Sequence, residues 1–508
     1  MKIGALLLGF SFFLSKVLGI IRDHLLARQF GAGNGEGVSA VFNLDTYYAA
    51  FRMPDFLFHQ LSYGVLAAAF VPIFVEILRK ENRENAFRFA SDVMRLVSLI
   101  MVGFSIIIFI IAPYIIPVFV PGFSKEALDV TILSTRIMLV TPIFFTIGSI
   151  AGGMQNALHK FLALSLAPVF YNIGIIGGIV FLSKTYGVYG VAIGVAIGAF
   201  LNMLVQLPSI LKFGFRFSPS PKWWTARVRE MVLLSLPRIL GMSATQVSLI
   251  VDTIIASTLA AGSITIINFA ANLESLPIGI VGVSVAIVSF GVLSSHAADQ
   301  NMIEFKKEIS TNLRKILFLL IPLAFGMFSL RFQIVKIVFE KGAFTGTDTL
   351  TTANTLGFFL IGLIFGGIMF LLARGFYALK NTKTPVKASI AAVAINIIAS
   401  ILLTKVLKLE TYGLAIANSI ADAFNAILLL VLLSKLLKES VIDLGETAKF
   451  FAAAILMFAV VNFTKNYFEN VYFQTAVSAG VGALVYFFAC FAMKCKVFKR
   501  YYLKNIYP

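Results

Sequence analysis

Long apolar segments follow one another along almost the whole chain, and short loops rich in Lys and Arg separate them. Hydrophobic residues make up 59% of the 508 residues, which is more than a soluble protein of this length could bury. The pattern predicts an all-α polytopic membrane protein with about 14 transmembrane helices, since a span needs roughly 20 apolar residues. We expect these helices near residues 3–29, 38–77, 92–118, 130–157, 161–183, 187–211, 232–259, 264–294, 313–340, 351–378, 384–406, 411–436, 446–464 and 472–493.

The chain has a net charge of +18, and many of its basic residues lie in these loops. In a soluble protein such a charge would suggest a nucleic-acid partner, but here the basic residues concentrate in the loops after the second, sixth, eighth and tenth segments and in the C-terminal tail. Lys and Arg accumulate on the cytoplasmic side of membrane proteins. We therefore expect both termini in the cytoplasm and no nucleic-acid partner.

The chain repeats itself at an offset of about 223 residues. Pro54 corresponds to Pro277, and the stretch 189–193 corresponds to 412–416. Six spans per repeat give both halves the same orientation, as in transporters built from two parallel repeats. We expect an N-lobe of helices 1–6 over 1–220 and a C-lobe of helices 7–12 over 221–438. Residues 439–508 would hold two additional helices and a basic cytoplasmic tail.

A group of charged and polar residues lies in or beside the first two apolar segments, where charge is costly and usually faces a water-filled cavity. In the repeat, Arg22 and Asp23 correspond to Ala244 and Thr245, so the charge belongs to one lobe only. Forked Arg donors suit phosphate or pyrophosphate. The alternative is that these cations reach the membrane interface, or that Arg22 only pairs with Asp23. The candidate cavity residues are Ser15, Lys16, Arg22, Asp23, Asp45 and Arg52.

The sequence contains no catalytic constellation and no P-loop, so we expect a transporter and not an enzyme. Asp252 lies inside the seventh apolar segment. It could pair with a neighbouring charge, or it could form an oxygen-rich ion site with Asn396, Asn418 and Asp422. A sodium ion at Asp252 and Asn396 is therefore the candidate cofactor.

Five stretches resemble one known family over about residues 5–437, with order and spacing kept. They are SKVLGIIRDHLLARQFGAG at 15–33, DTYYAAFRMP at 45–54, APVFYN at 167–172, QLP at 206–208 and FYALKNTKTPV at 376–386. These stretches resemble the MurJ/MviN lipid II flippases of the multidrug/oligosaccharidyl-lipid/polysaccharide exporter superfamily. The resemblance implies two lobes, two extra helices that frame a groove for the lipid tail, and a bacterial plasma-membrane location. It also implies transfer of undecaprenyl-pyrophosphate-linked peptidoglycan precursor from the inner to the outer leaflet.

By position, the six candidate residues look like the cavity residues of that family, although Lys16 stands where the family usually has Arg. Other positions depart from the pattern. In the second helix, Phe58-His59 stands where the family often has Arg-Arg, and Tyr63-Gly64 stands where it has Glu-Gly. In the eighth helix, Ala270-Ala271-Asn272 stands where the family has Ala-Asp-Arg. We include His59 and Asn272 among the expected substrate-binding residues, and the loss of Arg at Asn272 weakens the C-lobe side of a pyrophosphate site.

Four functions follow from these observations. The first is a lipid II flippase working by alternating access, as a monomer, with lipid II and the bilayer as its partners. The second is a flippase for another polyprenyl-pyrophosphate-linked glycan, which the replaced arginines favour slightly. The third is a cation-coupled drug exporter, and the fourth is a membrane scaffold without transport. The retained N-lobe charges and the two extra helices argue against the third and fourth. Membrane potential and sodium are both candidate energy sources.

Overall fold

The structure, a computed structural model, describes residues 2–33, 43–60, 69–222 and 224–498, and for 2–10, 12–13 and 236–245 it describes the backbone only. The described residues are almost entirely helical and include no strand. Over these ranges the α-helices are α1 Lys2–Phe30, α2 Leu44–Phe58, α3 Val71–Lys80, α4 Arg83–Phe119, α5 Lys125–Met138, α6 Thr141–Ala157, α7 Leu162–Gly177, α8 Ser183–Tyr186, α9 Val188–Lys212, α10 Ala226–Ser257, α11 Ser263–Pro277, α12 Ser284–Ala298, α13 Met302–Ser329, α14 Arg331–Phe339, α15 Gly346–Ala378, α16 Lys383–Ile401, α17 Glu410–Leu436, α18 Leu444–Thr464 and α19 Val471–Ala492.

The prediction of an all-α polytopic membrane protein is confirmed. Within the described ranges, 11 helices are long and apolar enough to cross a membrane. The expected total of 14 stays a prediction. Two expected segments are broken: the one near 130–157 is divided between α5 and α6, and the one near 313–340 between α13 and α14. Pro142 explains the first break because it lies in the opening turn of α6, where a missing N–H costs nothing.

Polar side chains fix where several helices begin. Asn43 accepts a hydrogen bond from the Thr46 amide at 3.1 Å and starts α2. Thr345 and Asp348 form a reciprocal capping box at the start of α15. Such caps satisfy amide groups that have no partner in the first helical turn. They therefore set the bounds of helices whose apolar pattern alone leaves the ends open.

The chain divides into two compact units. The first comprises residues 1–265 and 341–344, and the second comprises 266–340 and 345–508. Because this division reflects packing and not the sequence repeat, the lobe boundaries at 220 and 438 stay a prediction.

Short π-helical segments recur at matching positions of the repeat. Gly178–Leu182 continues α7, and Leu402–Val406 continues α16. Residues 59–60 continue α2, and Ile278–Val283 continues α11. The two segments of each pair lie nearly as far apart in the sequence as Pro54 and Pro277, which mark the offset of the repeat. The backbone therefore repeats its irregularities as well as its helices.

Helices α7 and α9 of the first unit approach each other at glycines. A Cβ atom at Gly174 would lie 2.3 Å from the Gly198 Cα, and one at Gly198 would lie 2.4 Å from the Tyr171 carbonyl oxygen. Real Cβ atoms do not approach other atoms so closely. Small residues of this kind let the backbones of membrane helices pack directly.

We expect Gly174→Leu to force α7 and α9 apart and to destabilise the protein by about 2 kcal/mol, the typical cost of overpacking. The matched control is Gly177→Ala in the same helix, because a Cβ at Gly177 meets nothing within 4 Å. The midpoint of thermal unfolding of the detergent-solubilised protein measures both effects. A Gly174→Leu variant as stable as the Gly177→Ala control would contradict this packing.

Candidate functional site

Arg22 is held in a fixed orientation by neighbours from two helices of the first unit. Its Nε and Nη2 atoms donate to Asp23 Oδ1 at 2.9 and 2.8 Å. Its Nη1 atom donates to Asn172 Oδ1, in α7, at 3.4 Å. The Arg22 side chain is 21% exposed, so the guanidinium is neither fully buried nor free in solvent.

Asn172 connects this guanidinium to the rest of the site. Its Nδ2 atom lies 3.3 Å from both the carbonyl oxygen and the hydroxyl of Ser15, and donates to the Pro168 carbonyl at 3.0 Å. Ser15, Arg22 and Asp23, three of the predicted cavity residues, thus lie close together, and Asn172 joins them although the sequence prediction did not include it. The available signal was a polar residue in an apolar segment, within a motif that recurs at Asn396.

Arg52 forms a second cationic position, between α2 and α10. Its Nε atom donates to the Thr253 hydroxyl at 2.9 Å, and its guanidinium interacts electrostatically with Asp55 and Asp252. His59 Nε2 lies 3.3 Å from Asp55 Oδ1. Asp252 therefore lies near a permanent cation, and a sodium ion at this carboxylate would compete with the guanidinium.

Asp45 is 4% exposed, and its carboxylate accepts hydrogen bonds from the loop before α11 and from the first turn of that helix. The donors include the Gly262 amide at 2.7 Å, the Thr265 amide at 2.8 Å and the Thr265 hydroxyl at 2.6 Å. The carboxylate thus lies at the start of α11, where helix amides and the helix dipole favour a negative charge. Gly262 has φ 89°, and a Cβ there would lie 2.0 Å from the Ala32 carbonyl oxygen, so only glycine fits. These contacts give Asp45 a structural role, and its predicted contact with substrate stays a prediction.

At the end of α2, where the family often has two arginines, this chain has aromatic side chains that pack together. The Phe58 ring lies 4.8 Å from Phe145, and Phe145 lies 5.0 Å from Tyr171. Tyr171 precedes Asn172 directly, so the aromatic group borders the polar network around Arg22. Tyr63 and Gly64, which also differ from the family's pattern, lie outside the described residues.

The remaining predicted residues are distributed over both units. Lys16 is exposed on α1 in the first unit. Asn272 is half-buried in α11 and Asn396 is 2% exposed in α16, both in the second unit. Asp252 is 7% exposed and belongs to the first unit. The site residues as a group and the sodium ion stay predictions. The side chains of Ala244 and Thr245 lie outside the described set.

The second unit contains an apolar groove of about 350 Å³ between α13, α18 and α19. Phe318 and Pro322 of α13, Met457 of α18, and Gly482 and Tyr486 of α19 line it. The Tyr486 hydroxyl donates to the Phe318 carbonyl at 2.8 Å, which satisfies the polar end of this buried ring. The groove wall is therefore almost wholly hydrocarbon and aromatic.

Known proteins resemble this chain over most of its length. A probable lipid II flippase MurJ of Buchnera aphidicola subsp. Acyrthosiphon pisum (strain APS) is 30% identical over 453 residues, covering 88% of this chain and 86% of the relative. One from Thermotoga maritima is 30% identical over 416 residues, covering 80% of each chain.

Solved structures agree with these relatives. A lipid II flippase MurJ in an inward closed conformation aligns with a TM-score of 0.82 and 28% identity, over 98% of this chain and all of that one. An inward-facing multidrug resistance MATE family transporter shares the fold alone, with a TM-score of 0.69 and 14% identity over 83% of this chain and 94% of that one. The family model for the lipid II flippase MurJ matches residues 37–488. The chain therefore belongs to the MurJ family of lipid II flippases.

Proposed function

We propose that this protein is a flippase that moves lipid II from the inner to the outer leaflet of the bacterial plasma membrane by alternating access. The observation that carries the proposal is the oriented Arg22 guanidinium in a chain of this family. A guanidinium has five N–H donors, and the contacts to Asp23 and Asn172 use three of them. Within the part of the chain that the structure describes, the other two donate to no partner and are available to a phosphate group, for which Arg geometry is well suited.

A polar path for the headgroup and an apolar path for the tail together avoid a large energetic cost. Moving sugars and a pyrophosphate through hydrocarbon without partners would be strongly unfavourable. In this proposal Arg22 and Arg52 hold the pyrophosphate in a water-filled cavity. The prenyl tail stays in apolar surroundings along the groove between α13, α18 and α19.

The groove can be tested by filling it. A Cβ at Gly326 would have its nearest neighbour, the Met457 Cε, at 3.6 Å, so alanine fits without strain. We expect Gly326→Leu to occupy part of the groove and to weaken binding of a polyprenyl lipid about 10-fold, since several buried CH₂ contacts of about 0.8 kcal/mol each are lost. Gly326→Ala is the matched control and should bind normally. Native mass spectrometry with lipid II measures both, and equal binding by the two variants would exclude the groove as the tail site.

We also propose that both termini face the cytoplasm. The support is the charge of the loops that would lie inside, with Arg79 and Arg83 after the second expected segment and Arg216 and Arg227 after the sixth. These residues then serve membrane topology, and nucleic acid is not a partner.

The protein acts as a monomeric transporter with no covalent chemistry. Membrane potential, or sodium acting through Asp252, would drive it.

The deciding experiment is complementation of a bacterium depleted of its own lipid II flippase. We expect the wild-type chain to restore growth and the outward transfer of lipid II. A chain that reaches the membrane but restores neither would contradict the proposal.

A second candidate is a flippase for another polyprenyl-pyrophosphate-linked glycan. Phe58 and Asn272 favour it, because each stands where the family often has Arg. Failure with lipid II together with transport of a different pyrophosphate-linked glycan would select this candidate.

A further inference from the structure

Two cations of the second unit lie side by side at the C-terminal end of α13. Arg331 Nη1 donates to the Phe328 carbonyl at 2.7 Å, and Lys465 Nζ donates to the Ser329 carbonyl at 3.2 Å. The two acceptors belong to consecutive residues, so the guanidinium and the ammonium group are close neighbours. The rings of Phe328 and Phe332 each lie 4.5 Å from the Arg331 guanidinium carbon, which holds it in place.

Among the described residues, no carboxylate lies within ion-pair distance of either cation. Other cations of this unit do have such partners, for example Lys336 with Glu340 at 3.4 Å and Lys496 with Asp443 at 2.7 Å. Burial lowers the pKa of Lys465, and the neighbouring Arg331 lowers it further. Two like charges in a half-buried position repel each other. An anion between them would remove that repulsion.

This cation pair adjoins one end of the apolar groove. Leu330 and Ile334, on either side of Arg331 in the chain, line the groove. Val461, one helical turn before Lys465, lines it as well. A ligand that fills the groove and carries a negative headgroup would therefore place that headgroup beside Arg331 and Lys465.

We propose that Arg331 and Lys465 bind the diphosphate of a polyprenyl lipid whose chain lies in the groove, at a second phosphate site separate from Arg22. The lipid class rests on the proposed function. Two adjacent cations match the two phosphates of a diphosphate, and the groove of about 350 Å³ takes the part of one chain that lies next to the phosphates. A membrane phospholipid has one linking phosphate and two chains. The site would hold the lipid by its diphosphate whenever the tail occupies the groove.

The competing explanation is that the pair only caps α13, because cations at a helix C-terminus interact favourably with its dipole. Arg331→Gln and Lys465→Gln separate the two roles. Glutamine can still donate to the Phe328 or Ser329 carbonyl, but it carries no charge. The matched control is Lys336→Gln in α14, which removes a cation of the same helix that already has a carboxylate partner.

The experiment measures binding of undecaprenyl pyrophosphate and of uncharged undecaprenol to the full-length protein in nanodiscs. All variants are compared in an Arg22→Ala/Arg52→Ala background, which removes the first phosphate site. We expect the added Arg331→Gln/Lys465→Gln double substitution to lose about 10-fold or more in affinity for undecaprenyl pyrophosphate. Undecaprenol binding and the Lys336→Gln control should not change. Unchanged binding of undecaprenyl pyrophosphate, or an equal loss for undecaprenol, would overturn the proposal. Competition by phosphatidylglycerol as strong as by undecaprenyl pyrophosphate would also overturn it, in favour of a general anionic-lipid site.

Failure of this inference can be told apart from failure of the proposed function. If the double variant binds normally while the wild-type chain still complements a flippase-depleted strain, only the second phosphate site is wrong. If the wild-type chain does not complement but the double variant loses diphosphate binding, the site stands and the transport proposal falls.

Discussion

Arg22→Ala should lower lipid transport by about 10-fold to 100-fold while leaving the folded protein in the membrane. The variant loses a charge-assisted contact to phosphate, which is typically about 1.5–3 kcal/mol. Arg52→Ala should behave in the same way, and the double variant should show no measurable transport. The assay is outward transfer of lipid II in a strain depleted of its own flippase.

Two further variants serve as controls. One removes a positive charge outside the site, and the other keeps the charge at residue 22 but changes the geometry of the hydrogen-bond donor. Lys80→Ala removes an exposed cation that pairs with Glu76, so transport should be normal. Arg22→Lys keeps the charge but not the fork that contacts both Asp23 and Asn172, so we expect an intermediate rate. Normal transport by the Arg22→Ala/Arg52→Ala variant would remove the cationic cavity from the mechanism.

Asp45→Ala should be the most destabilising single substitution considered, at about 3 kcal/mol. It leaves the buried amides of Gly262 and Thr265 and the Thr265 hydroxyl without their acceptor, and an unsatisfied buried donor costs about 1–3 kcal/mol. Asp45→Asn keeps one acceptor oxygen and should cost less. Thermal unfolding of the detergent-solubilised protein measures these differences.

Thr265→Val provides the graded comparison, since it removes only the hydroxyl and keeps the amide donor. We expect it to cost about 1 kcal/mol. After Asp45→Ala, the same threonine substitution should have almost no further effect because its acceptor is already gone. Additive effects of the two substitutions would show that the hydroxyl and the carboxylate do not interact.

The helices could be predicted from the sequence because an apolar segment is a local property. The segment near 351–378 became α15, Gly346–Ala378, which begins a few residues earlier and ends at the expected residue. The breaks were harder to predict. The segment near 313–340 was expected as one span although Arg331, Gln333 and Lys336 interrupt its apolar residues, and the structure shows α13 ending at Ser329 and α14 beginning at Arg331. That break is also what brings Arg331 beside Lys465.

Site residues could be predicted from the sequence only where a charged residue lies inside an apolar segment. Arg22 and Asp23 met that condition, and they pair as one of the alternatives expected. Asn172 is 150 residues from Arg22 in the chain, and no local pattern joins them. Asp45 illustrates the converse, because its charge is evident in the sequence but its donors lie 217 and 220 residues away.

The matched π-helical segments bear on the history of the chain. Gly178–Leu182 and Leu402–Val406 occupy the same place in two halves whose sequences have otherwise largely diverged. A π segment is a wider helical turn that is rare in proteins and frequently lies at functional sites. Its recurrence at nearly the offset of the sequence repeat is what duplication of a segment that already contained this turn would produce.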